Sequence, residues 1–196
     1  MKIRLWVFLA IIALVSPRLV LASSVDQSVV NAVVRSTIQD LNKATDLHWH
    51  EGEYNHIINL YRMIVAAEPY HLQAYSNSGW LLWSMNRDKE ALAIYHQGLK
   101  ANPNNYYMYD ELGEYYFLRQ KNYNKAAEWY GKAVKFTCPA FTWHMYAHSL
   151  ERIGDLKGAL KAWRYSVKHY KGDAAAAVNY DRVEKELESS NGGSSK

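Results

Sequence analysis

Two pairs of ionisable side chains carry most of the chemistry this sequence offers. Asp110 and Glu114 stand four residues apart, and so do His144 and His148. On a helix that spacing puts both members of a pair on one face, a turn apart. Imidazole nitrogens with carboxylate oxygens suit divalent transition metals such as zinc, nickel, copper or iron. A site of Asp110, Glu114, His144 and His148 is therefore one expectation, with affinity falling in acid as the histidines protonate. The competing role is a patch of hydrogen bonds and ion pairs, because His-x-x-x-His without the glutamate of His-Glu-x-x-His is a common accident. Catalysis has weaker support. Asp110 and Glu114 as acid and base lie too close together to bracket a glycoside, and the chain has no Gly-x-Ser-x-Gly, phosphate loop or Cys/His pair at catalytic spacing. The expectation is a non-enzyme without a resident cofactor, the metal site being the exception to test.

Other candidates read as structural. Cys138 is the single cysteine, which excludes a disulfide framework, a Cys-x-x-Cys centre and a cysteine-rich zinc site, and it is expected to be a small buried hydrophobe. In His48-Trp49-His50-Glu51-Gly52, His48 is expected in the core with a hydrogen bond, and His50 at a helix C-terminus whose dipole favours a cation. His56, His71, His96 and His169 read as surface or turn residues.

The 196 residues are 49% hydrophobic and 21% charged, which places the chain among globular proteins. Met1 to Arg4 is positive, Leu5 to Val15 is an unbroken apolar run, and Val20-Leu21-Ala22 offers a cleavage site. Residues 1–22 are thus expected to be a signal peptide, which implies export to the periplasm or medium, with an uncleaved anchor as the alternative. No membrane span is expected after it. Of the 23 Lys and Arg, three lie in that segment, leaving 20 against 19 Asp and Glu. Near-neutrality without a basic cluster excludes a nucleic-acid footprint.

The elements that position these residues follow from a repeat. Tyr75, Tyr109 and Trp143 fall 34 apart, as do Gly79, Gly113 and Ala147, and Leu82, Tyr116 and Leu150. Each trio marks one helix face. A second set, Ala91-Tyr95-Gly98, Ala126-Tyr130-Ala133 and Ala159-Trp163-Ser166, marks a second helix per unit. An earlier copy carries Leu41, Thr45 and His48 with Ile57, Tyr61 and Ile64, and lacks the small residue at Thr45. Ala91 to Ala126 is 35 and Ala126 to Ala159 is 33, read as one residue added in the turn Gln120 to Asn124 and one removed before the next helix.

Two amphipathic helices per 34 residues, with small residues at close approaches, resemble the tetratricopeptide repeat (TPR) family. The resemblance implies an all-α, right-handed solenoid: four helix pairs over 38–71, 72–105, 106–139 and 140–173, after an N-terminal helical extension at 23–37. A capping helix at 174–188 and a flexible tail at 189–196 complete it. The expected helices are 26–49, 53–66, 71–85, 88–100, 105–119, 123–136, 140–152, 156–170 and 174–188.

In that family the first helix of each pair lines a concave groove that holds a protein or peptide. The groove positions implied here include Asp46 and Trp49; Ser76, Trp80 and Trp83; Tyr107, Asp110, Glu114 and Phe117; and Phe141, His144, His148 and Glu151. Trp80, Trp83, Tyr107, Phe117 and Phe141 would anchor the ligand, and Asp110 with Glu114 would favour a basic one. The competing role for these aromatics is packing against a neighbouring first helix or the extension. The lysine and asparagine clamp with which some members grip C-terminal carboxylates is missing.

Overall fold

The computed structural model describes residues 26–192. The expected signal segment and the last four residues of the tail lie outside that range. Among the described residues the elements are α1 (Gln27–Glu51), α2 (Tyr54–Ala67), α3 (Leu72–Ser84), α4 (Asp88–Ala101), α5 (Tyr107–Glu114), α6 (Tyr123–Ala133), α7 (Ala140–Arg152), α8 (Leu156–His169) and α9 (Ala174–Gly192), with no strand. Each helix packs mainly on its chain neighbours, and α3 also meets α5, as in an all-α solenoid. No helix among the described residues is long and apolar enough to cross a membrane.

The start and stop signals are local. Asp26, Asn122 and Asp155 accept from the exposed backbone N–H groups of α1, α6 and α8, the usual service of an N-cap side chain. Gly52 and Gly154, at φ 74° and 81°, take the left-handed conformation that ends α1 and α7. Two differences from the sequence reading concern length. α6 stops at Ala133, three residues early, and α9 runs through the expected tail as far as Gly192.

Small residues sit where a helix pair must close. A Cβ on Gly79 would enter the ring of Tyr95, and one on Gly113 would enter the ring of Tyr130. The first pair has Thr45 there instead, buried, with its hydroxyl turned back onto the carbonyl of Asn42 at 2.7 Å. One core runs through α1–α4 around Ile57, Ile64, Tyr75 and Leu82. A second fills α6–α9 around Trp163, Ala147 and Val183, and Tyr95, Leu112 and Tyr115 form a third cluster that shares Trp83 and Leu99 with the first.

The extra residue of the third repeat lies within a helix and not in the turn after it. α5 continues into a π-helical turn, Tyr115–Arg119, a geometry that absorbs one added residue inside a helix. The left-handed turn residues Asn86, Lys121 and Gly154 show the shift. In the second and fourth repeats the turn closes from Arg87 to Leu82 and from Asp155 to Leu150, but in the third it reaches one residue further, from Asn122 to Tyr116. Counted back from the turn, Phe117 is the equivalent of Leu82 and Leu150, and Leu118 the equivalent of Trp83 and Glu151. The π turn also delivers Arg119, whose Nε and Nη2 each donate to Asp88 at 2.8 Å, clipping the third repeat to the start of α4.

Candidate functional site

The inner surface is built from α1, α3, α5 and α7. Where α1, α3 and α5 meet, Asp46, Trp49, Ser76, Trp80, Glu111 and Glu114 line a cavity of about 450 Å³. Its wall is aromatic. Trp49 and Trp80 stack with ring centroids 5.9 Å apart and planes 27° from parallel, and they remain 42% and 41% exposed. Tyr54 meets Trp49 edge-on at 5.6 Å, and Trp83 meets Trp80 edge-on at 5.9 Å. Large rings left this open on an inner face are area available to a partner.

Asp46, Glu111 and Glu114 give the cavity an acidic side, and Asp110 stands next to Glu111 on α5. Burial raises the carboxyl of Asp110 to about 6, against the help of the Thr142 hydroxyl and with Glu114 adding to the rise. Burial raises Glu111 to about 7; the Ser76 hydroxyl, donating to Oε1 at 2.7 Å, opposes this, and Glu114 and Asp110 reinforce it. Burial raises Glu114 as well. Asp110 Oδ1 and the Tyr130 hydroxyl are buried without a hydrogen-bond partner among the described residues. Burial and the charges of Asp110, Glu114 and Glu111 push the Tyr130 phenol far upward.

The ion pairs lie elsewhere. Asp88 holds Arg119, Glu90 holds Arg87 and Arg62, Glu128 holds Lys132, and Glu151 holds Arg182. Among the described residues Asp46, Asp110, Glu111 and Glu114 have no ion-pair partner.

The histidine pair does not join the acidic pair. His144 Nε2 lies 2.6 Å from Asp173 Oδ2, which also accepts from Ser166 Oγ at 2.6 Å, while Asp173 Oδ1 caps α9 through the N–H of Ala176. His148 rests edge-on against Trp163 at 4.8 Å, with Nδ1 3.6 Å from Glu151. Both histidines therefore serve the junction of α7, α8 and α9, and the geometry gives the expected metal set no support. Among the described residues, the ligand atoms that converge are those of His48, Glu51 and Glu53 at the α1–α2 turn. There Nδ1 of the half-buried His48 pairs with Glu53 at 2.6 Å.

The five expected anchors divide. Trp80 faces the groove. Trp83 is half-buried, packs on the α1–α4 core and donates from Nε1 to the Tyr95 hydroxyl at 3.1 Å. Tyr107 packs at the edge of the same core and donates to Gln73 at 3.3 Å. Phe117, half-buried in the π turn, meets Tyr123 edge-on at 5.2 Å. Leu118 takes its outward place and is 50% exposed. Phe141 stands exposed at the start of α7. Glu111 was not among the expected site residues; its signal was a third acid within one turn of Asp110 and Glu114, with no base beside it.

No family model matches this chain, and no curated protein matches it. Solved structures do. PilF of Pseudomonas aeruginosa superposes with a TM-score of 0.62 at 14% identity, over 79% of this chain and 71% of that one. MamA does so at 0.57 and 14%, over 78% and 88%. YrrB, described as a TPR protein with an unusual peptide-binding site, matches at 0.55 and 19%, over 74% of each chain. The likeness is one of fold: this chain has the TPR solenoid fold.

Proposed function

We propose that this chain is a non-catalytic scaffold, acting outside the cytoplasm, that holds an extended peptide segment with basic side chains in its concave groove. One observation carries the reading. The cavity on the inner face sets three carboxylates without an ion-pair partner among the described residues, Asp46, Glu111 and Glu114, beside the exposed Trp49 and Trp80, and burial disfavours the ionised forms of Glu111 and Glu114. A partner bringing positive charge would relieve the desolvated acids, and the aromatics would supply contact area. Export is inferred from the positive, apolar and small-residue order of residues 1–22.

Panning a randomised peptide display library on the full chain tests this. Sequences rich in Arg and Lys should be enriched, and the pair Trp80→Ala with Glu114→Gln should lose the enrichment without lowering the melting temperature. Trp83→Ala, which opens the core, should instead lower the melting temperature. Enrichment that survives the groove variant, or selection of acidic sequences, would overturn the reading.

A further inference from the structure

The cavity between α1, α3 and α5 is more specific than a basic groove requires. We propose that it is a pocket for one arginine side chain of the bound segment, its guanidinium stacked on the Trp49–Trp80 wall and ion-paired with Glu114, Glu111 and Asp46. This rests on the reading of the groove as a peptide site, and names the side chain that the groove selects.

Four features converge on a planar cation. The first is the wall: a guanidinium lies flat on an indole face, gaining cation–π attraction together with stacking, which the tetrahedral ammonium of lysine matches less well. The second is the acid set. Carboxylates from two helices, Asp46 of α1 and Glu111 and Glu114 of α5, border the same space, and a forked donor can engage more than one of them. The third is the lack of competition, because no Lys, Arg or His lines the cavity. The fourth comes from burial. Burial disfavours the ionised forms of Glu111 and Glu114, and the charges of Glu114 and Asp110 add to the rise at Glu111. Like charges held together in this way are unfavourable in the free chain, and a cation entering from the groove side relieves them.

An anion is excluded by the same charges. A neutral apolar side chain would find the wall and leave the acids unpaired.

The test uses the indole Nε1–H resonances of Trp49 and Trp80 in the full ¹⁵N-labelled chain, assigned with Trp49→Ala and Trp80→Ala. The probe is the blocked pentapeptide acetyl-Gly-Ser-Arg-Ser-Gly-amide, with counterparts carrying lysine or citrulline, the latter a neutral near-isostere of arginine. The arginine peptide should shift both resonances. The lysine peptide should bind roughly tenfold more weakly, and the citrulline peptide should give no saturable shift. Glu114→Gln and Trp80→Ala should each weaken the arginine peptide by roughly tenfold or more with no fall in the melting temperature.

A citrulline response equal to that of arginine, or binding indifferent to both variants, overturns the pocket. Should library peptides bind the chain without moving Trp49 or Trp80, the groove reading stands and the pocket falls. Should free arginine bind as tightly as the pentapeptide, the pocket stands and its place in a peptide groove falls.

Discussion

Asp110 and Glu111 hold their protons to about pH 6 and about pH 7 because burial, and then the charge of Glu114, disfavours the ionised forms. In the unfolded chain both would ionise near the ordinary carboxylate values. Between those values the folded state binds the extra protons, so this cluster's contribution to folding is full below the ordinary carboxylate values and is lost as the pH rises from there through about 6 and about 7. Asp110→Asn and Glu111→Gln should therefore each stabilise the chain at pH 8, by ~1–3 kcal/mol, and do little at pH 4.5; thermal melts at the two pH values would show it. Asp88 behaves in the opposite sense. The Arg119 guanidinium holds its carboxyl down at about 2, and that contribution, present above the ordinary carboxylate range, is lost only as the pH falls toward 2. The acidic pair could be read from the chain because helical spacing puts positions 110 and 114 on one face. Asp46, Trp80 and Glu111 could not be grouped that way. They come from three helices, and stacking of the repeats joins them. His144 misled for a similar reason: its partner, Asp173, lies in the link between α8 and α9 and belongs to no local spacing.

The helix pairs were legible because their closest approaches demand small residues. Gly79 lies under the Tyr95 ring with no room for a methyl group, so Gly79→Ala should destabilise the chain by ~1–3 kcal/mol. A lower urea midpoint with an unchanged helical circular dichroism spectrum is the expected outcome. A neutral result would mean that α3 and α4 can part without loss. The inserted residue was visible as an offset of 35, but the offset did not say where it sat. A turn on the surface is the ordinary place for an insertion, whereas the π turn keeps it inside the helix. What the insertion supplies there is the Arg119–Asp88 clip, a contact between residues 31 apart that no local pattern displays.

At the scale of the whole molecule, the repeats among the described residues are held mainly by their neighbours, as in other solenoids, and the far end is fastened by Asp173, which caps α9 while binding His144 and Ser166. The regular stacking of first helices sets a ruler for whatever lies across them. Packed helices stand roughly 8–10 Å apart, and an extended chain advances about 3.3 Å per residue. A segment crossing α3, α5 and α7 thus meets a new helix at about every third residue. Substituting successive positions of a selected peptide should then give losses with a period of three. The site would read its ligand in triplets, and the residues between would be free to vary.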